Sequence, residues 1–227
     1  MSNDLRENRY GVFTAILPCA LWGMAFPAIK LGYRVYGIAA EDAGGQLVFA
    51  GLRFFLAGVL AWVIGSVMYK RPLIPKRSSV PKIAILAVFQ TFLQYIFFYI
   101  GLAHTTGVKS SIITASNVFF ACIASAAVFR QETMSVKKWL GVLVGFAGVV
   151  VINMTGGLNP SFGLTGEGFM VISAVSSAIS SVLIKKFTED EPAFTLSAFQ
   201  FMLGGAALFV AGAVIRGKIF SVSPGNL

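Results

Sequence analysis

Long uncharged apolar runs alternate with short polar segments along the whole chain. They predict helices from about Tyr10 to Leu31, Gly45 to Tyr69, Ile83 to Ala103, Ile112 to Phe129, Trp139 to Ile152, Gly168 to Ile184 and Ala193 to Ile215. A run of about 18 or more uncharged apolar residues can cross a bilayer as helix. The clearest stretch is Ser110 to Ile152, where two apolar runs flank a charged turn holding Arg130, Gln131, Glu132, Thr133, Lys137 and Lys138. That turn is too short to hold a domain, so its two helices should be antiparallel neighbours. Ser135 is placed to cap the second of them, its hydroxyl accepting from the free amides of the first turn. His104 to Gly107 reads as a tight turn, and Gly156 to Gly166 as a loop of Gly, Asn and Pro. The expected fold is all-α: a polytopic membrane helical bundle with seven spans.

Composition agrees with this pattern. Hydrophobic residues make up 56% of the chain and charged residues 12%, more apolar surface than a soluble globule of this size can cover. A β-barrel would need alternating strands of about ten residues, and these runs are continuous. The net charge of +9 comes from residues clustered between apolar runs, a pattern that sets orientation rather than one that binds nucleic acid. One side carries Arg6, Arg9, Lys70, Arg71, Lys76, Arg77, Lys82, Arg130, Lys137, Lys138, Lys185 and Lys186. The other carries Arg34, Lys109, Arg216 and Lys218. The excess places the amino terminus in the cytoplasm of a plasma-membrane protein. Cys19 and Cys122 both fall in apolar runs, as buried thiols do. The first apolar run is too long for the core of a cleaved signal peptide and reads as a retained span.

The chain also matches itself. Spans one and six align with Gly11 over Gly166, Ile29 over Ile184 and Lys30 over Lys185. Spans two and seven align with Phe54 over Phe201, Leu56 over Leu203, Gly58 over Gly205 and Gly65 over Gly212. Their order points to an internal duplication. Five spans per unit would make the second unit enter from the opposite side, an arrangement common in secondary transporters. Residues 1–155 would form the first five-span repeat and residues 156–227 the first two spans of an inverted second one. The expectation is therefore seven spans of a ten-span 5+5 frame; a seven-span product is the alternative.

Polar groups inside spans are costly in hydrocarbon, so they are the functional candidates. Arg53 lies about eight residues into span two, roughly 12 Å from its end. It is either an anchor for a carboxylate or phosphate or a structural lock onto helix-end carbonyls or Glu41 and Asp42. Lys30, at the end of span one, snorkels to the interface or attracts substrate electrostatically. Gln90 and Gln94 share a face of span three, as do Tyr95 and Tyr99. Ser110, Thr114 and Asn117 recur at helical spacing in span four. These groups either line one polar cavity or bond helix to helix. Trp22 stacks on a substrate or packs a core. Gly141, Gly145 and Gly148 read as a face for close helix approach. His104 falls in a turn. With one His, no HExxH and no buried acid pair, catalysis is not expected; neither is a metal or another cofactor.

Several of these stretches resemble EamA-type transporters of the drug/metabolite transporter superfamily. Trp22-Gly23, Phe26-Pro27 and Lys30 resemble the first-span pattern, and Arg53-Phe54 the second-span arginine. Tyr99-Ile100-Gly101-Leu102-Ala103 through Val151 is similar too, with Glu132, Trp139-Leu140-Gly141 and Gly145-Phe146-Ala147-Gly148-Val149. Gly166-Glu167-Gly168 is similar to the opening of the second repeat. The family often has proline in span four where this chain has Asn117. The resemblance implies a ten-span, two-repeat protein moving small metabolites, often outward and often with protons. Lys30 and Glu132 are the gating or electrostatic candidates. The resulting expectation is export of small polar metabolites, amino acids or related carboxylates, by alternating access. An importer of the same fold and a non-transporting assembly or regulatory subunit are the alternatives. The partners are a small-molecule substrate and the bilayer; proton coupling and homodimerisation are left open.

Overall fold

The computed structural model describes residues 31–39, 41–128, 135–155 and 163–221, with isolated positions 16, 20, 21, 24, 28 and 29. It divides into two units, residues 1–40 and residues 41–227. In the first unit a helix continues to Val35, past the expected end at Leu31. It closes with Gly37 at φ +63°, Ile38 N–H bonded to Tyr33 C=O at 2.9 Å and Gly37 N–H to Arg34 C=O at 3.4 Å. This pairing satisfies carbonyls that the helix end would leave open, with glycine in the left-handed position.

The second unit is entirely helical among the described residues. Its elements are α1 (Ala43–Met68), α2 (Val80–Leu86), a π-helical turn (Ala87–Leu93) and α3 (Gln94–Ala103). There follow α4 (Gly107–Ala115), α5 (Asn117–Ile123), α6 (Val136–Thr155), α7 (Phe169–Phe187) and α8 (Ala193–Ser221). Asp42 caps α1, accepting from Gly45 N–H at 2.7 Å. Ser135 caps α6 as expected, accepting from Lys138 N–H at 3.4 Å. The turn between α3 and α4 falls at His104–Thr106, also as expected.

The count of seven spans does not survive. Among the described residues four helices are long and apolar enough to cross a membrane: Ala43–Met68, Arg77–Leu102, Leu164–Phe187 and Ala193–Arg216. The expected fourth span is broken at Ser116, whose hydroxyl donates to Ile113 C=O at 2.5 Å. Helix resumes at Asn117 and passes into another π turn at Ala124–Val128. An apolar helix of only Ile112–Ala126 is left. The expected fifth span, α6, opens on Lys137 and Lys138 and is not among the four. The expected first span lies outside the described residues over most of its length. With four such helices among the described residues, neither the seven spans nor the ten-span 5+5 frame is upheld.

α1 and α8 are the most intimately packed pair, running antiparallel along their length. Glycines make this possible. A Cβ built on Gly51 would lie 2.4 Å from Phe209 N, and one on Gly58 would lie 2.6 Å from Ala198 C=O. From the other side, a Cβ on Gly205 would meet Gly51 C=O at 2.7 Å, and one on Gly212 would meet Val48 N at 2.6 Å. Gly44, Gly51, Gly58 and Gly65 recur every seventh residue in α1, so one stripe of bare backbone faces the partner helix. The glycines singled out in α6 behave otherwise. Among the described residues a Cβ on Gly141 or Gly148 would meet nothing within 4 Å, and of the three only Gly145 abuts a neighbour, the Phe119 ring.

The rod formed by α2, the π turn and α3 lies between this pair and α7. Rod and α7 are tied at both ends. At one end Ser79 donates to the buried carboxylate of Glu191 at 2.6 Å, Lys76 donates to Asp190 C=O at 3.0 Å, and Lys82 pairs with the Asp190 carboxylate. At the other end Glu167 accepts from Lys109 Nζ at 2.8 Å, Thr105 Oγ1 at 2.9 Å and Gly163 N–H at 2.8 Å. Ile83, Leu86, Leu183, Phe187 and Leu196 form an apolar core beside the first of these ties.

Gly51→Ala should lower stability by roughly 1–3 kcal/mol, because a methyl group must displace backbone there. Gly141→Ala should be neutral or slightly stabilising; chemical or thermal unfolding of the two variants in detergent decides. The Lys82 ammonium bonded to Asp190, with Lys76 nearby, holds that carboxyl below its ordinary value. A lowered folded pKa contributes stability above the unfolded value of about 3.9 and loses it as pH falls through the folded value. Asp190→Asn should therefore lower the unfolding temperature slightly at neutral pH and converge with the unsubstituted protein at acid pH, which flattens the acid limb of the profile.

Candidate functional site

Arg53 sits ten residues after the start of α1, roughly 15 Å along the helix, deeper than the sequence boundaries suggested. It is half-buried. Its guanidinium lies over the Phe54 ring at 4.8 Å from the centroid. Among the described residues it has neither an ion pair nor a hydrogen bond. The lock onto Asp42 is not formed: that carboxylate caps its own helix and faces Arg216 Nε at 3.7 Å. Among the described residues, therefore, none of the five N–H donors of Arg53 meets an acceptor.

Aromatic rings surround it. Phe54 meets Tyr95 at 4.6 Å and stacks on Phe201 at 5.5 Å. Tyr95 also meets Phe98 at 6.4 Å and Tyr99 at 6.2 Å. The site therefore draws on α1, α3 and α8. The glycine stripe brings α8 near enough for Phe201 to reach Phe54. The Phe54–Phe201 contact joins two residues that the sequence aligns with each other.

The π turn shapes the other flank. Widening a helix to i→i+5 bonding displaces a carbonyl from its usual partner, and in hydrocarbon that carbonyl needs another. α7 supplies it. Ser176 Oγ donates to Phe89 C=O at 2.7 Å, and Ser173 Oγ donates to Gln94 C=O at 2.7 Å. Ser177, one turn on from Ser173, accepts from Asn117 Nδ2 at 3.1 Å. The turn also pushes Thr91 against α8, where a Cβ on Gly204 would lie 2.5 Å from Thr91 Cβ. There Thr91 Oγ1 donates to Gln200 Oε1 at 2.9 Å, with both residues fully buried.

The expected site residues fall into two groups. Arg53 and Tyr95 come together on one side of α3. Gln94 and Asn117 meet on the other, through Ser173 and Ser177 of α7. Gln90 is half-buried, with Oε1 buried and unpartnered, and the same holds for Asn117 Oδ1. Thr114 is exposed. Trp22, Lys30 and Glu132 lie outside the described residues. Sequence reasoning passed over Thr91, Gln200, Glu167 and the α7 serines. Gln200 had a signal: in the alignment of spans two and seven it stands over Arg53. The serines had one too, since Ser173, Ser176 and Ser180 recur along a single helical face.

Four apolar helices with buried serine, threonine and amide contacts define a multi-pass protein of the lipid bilayer. The EamA-like transporter family model matches residues 9–154, and the chain belongs to that family, one of transporters and not of enzymes. An uncharacterised transporter of Archaeoglobus fulgidus is 28% identical over 195 residues, covering 85% of this chain and 64% of its own. A second from the same organism is 30% identical over 193 residues, covering 83% and 62%. The uncharacterised transporter YvbV of Bacillus subtilis is 28% identical over 213 residues, covering 92% and 64%. The chain thus spans a little under two thirds of the length of these relatives. No solved structure matches it.

Ser176→Ala should cost about 0.6 kcal/mol and at most about 1.7, the range for hydrogen bonds between membrane helices. Ser181 is exposed and bonds back to Ser177 C=O in its own helix. Ser181→Ala should be close to neutral in the same unfolding assay.

Proposed function

We propose that this protein is a secondary transporter that exports small polar metabolites, amino acids or related carboxylates, across the plasma membrane by alternating access. The observation that carries this reading is Arg53, a cation deep in an apolar helix with no acceptor among the described residues. A desolvated guanidinium is costly without an anion, and its planar fork suits a carboxylate. The rings of Phe54, Tyr95 and Phe201 offer the organic part of such a molecule a flat apolar surface. The outward direction and coupling to protons rest on the family resemblance. The amino terminus in the cytoplasm rests on the Lys and Arg bias.

A second reading is an assembly role or a homodimer. It is favoured by α6, where Val136, Leu143 and Val144 are exposed beside the open positions Gly141 and Gly148.

Proteoliposomes loaded with a panel of labelled amino acids and carboxylates test the transport reading. Arg53→Gln should reduce flux of the accepted substrate by at least about tenfold, the loss of one charge-assisted pair. Arg53→Lys should recover part of it. Absence of flux across the panel, together with a stable copurifying partner, would favour the second reading.

A further inference from the structure

Two helix ends in this chain close with the same bonds and different residues. The helix of the first unit ends with Gly37 in the left-handed position. α1 ends with the same pair of bonds, Arg71 N–H to Ser66 C=O at 3.1 Å and Lys70 N–H to Val67 C=O at 3.2 Å. Here the left-handed position is held by Lys70, at φ +51°, the one non-glycine residue with positive φ among the described residues. A lysine is strained where glycine is at ease, and strain of this kind points to a use for the side chain.

The loop that follows is pinned to α1. Leu73 fills the slot over Gly65, where a Cβ would lie 2.5 Å from Leu73 Cδ1. Leu73 C=O accepts from Trp62 Nε1 at 2.9 Å, and Leu73 N–H donates to Ser66 Oγ at 3.2 Å. The chain thus turns back along α1 and leaves the next residue, Ile74, 74% exposed. Trp62 and Tyr69 are exposed too, and both are residues that settle at the level of lipid head groups.

Charge at this end of the bundle is unbalanced. Tyr69 meets the Phe194 ring at 6.4 Å, Lys76 donates to Asp190 C=O and Ser79 to the Glu191 carboxylate. The end of α1, the start of α2 and the link between α7 and α8 therefore lie together. Residues 69–82 and 185–191 carry seven cations and three acids. The Asp190 carboxylate pairs with Lys82, and Glu191 is buried on Ser79. The side chains of Lys70, Arg71 and Arg77 are exposed, with no hydrogen bond or ion pair among the described residues.

We propose that this end of the bundle docks on anionic phospholipid. Lys70, Arg71 and Arg77 face the phosphates of the leaflet, and Ile74 enters its acyl region beside Trp62. A basic cluster just outside a spanning helix is drawn to such a surface, and the pinned loop holds it at head-group level. The proposal does not depend on how Arg53 is read.

The purified full chain in a neutral detergent is titrated with phosphatidylglycerol or with phosphatidylcholine of the same acyl chains. The shift of the unfolding temperature gives an apparent Kd. Phosphatidylglycerol should raise the unfolding temperature, less so in high salt, and phosphatidylcholine should not. One cation at the membrane surface is worth about fivefold in affinity. Lys70→Gly should weaken phosphatidylglycerol by that factor, while the lipid-free protein becomes no less stable because the strain is relieved. Lys70→Gly combined with Arg71→Gln and Arg77→Gln should weaken it by about a hundredfold. Arg34→Gln, which removes an exposed cation of the first unit, should change it by less than about twofold. Equal shifts with both lipids, or none with either, would overturn the proposal. So would phosphatidylglycerol affinity kept in the triple variant, or lost as far in Arg34→Gln, since net charge and no particular surface would then account for it. Glycerol 1-phosphate producing the shift in place of lipid would overturn it in favour of a site for a soluble anion. If the triple variant gives no folded protein, Lys70→Gly alone decides.

Discussion

Backbone-to-backbone contact between α1 and α8 is the constraint on which the rest depends. Two helices ordinarily pack about 8–10 Å apart, held off by their side chains. Here a glycine at every seventh position of α1, met by Ala198, Gly205 and Gly212 on α8, removes that spacer. In hydrocarbon there is no hydrophobic gain from bringing helices together, so packing at short range must do the work. The close approach carries Phe201 onto Phe54 and so builds the ring surface beside Arg53. It also sets how far α8 leans toward the π turn, where Gly204 leaves just enough room for Thr91.

A second demand comes from the backbone itself. Every carbonyl inside a bilayer needs a partner. The widened turn at Ala87–Leu93 and the break at Ser116 both disturb the regular ladder. The chain answers each locally, with Ser176 and Ser173 reaching over from α7 and Ser116 bonding back to Ile113. The resemblance noted in the sequence would put a proline in the broken span. A serine followed by Asn117 interrupts the helix here without one, since a hydroxyl bonded to a preceding carbonyl competes with helical geometry.

Much of the fold was legible in the sequence because hydrophobic runs report helices directly. The cap at Ser135 and the turn after Ala103 also follow from local chemistry. What was not legible depends on a partner. Gly51 and Gly141 look alike in sequence, and only the helix lying against one of them tells them apart. Ser116 looks like any serine in an apolar run until its hydroxyl chooses Ile113 C=O. Counting spans failed for a related reason: apolar residues from Ile112 to Phe129 say nothing about whether the helix runs unbroken. For the site, Arg53 stands out because a charge in an apolar run is rare. Gln200 stands opposite Arg53 in the self-alignment, but its burial against Thr91 shows only once the helices are packed. Glu167 was passed over as part of a glycine-rich opening, although it gathers three donors.

The rod and α7 are fastened near Ser79 and Glu191, fastened again near Lys109 and Glu167, and stitched by serines in between. A pair held at both ends and along its length behaves as a single strut with no independent freedom to slide or tilt. Any rearrangement of these helices must therefore be sheared through the boundary with α1 and α8. That boundary holds the Thr91–Gln200 bond, the rings of Phe54, Tyr95 and Phe201, the tight fit of Gly204 on Thr91, and Leu196 packed with Ile83 and Leu86. Arg53, half-buried over Phe54, lies beside that boundary.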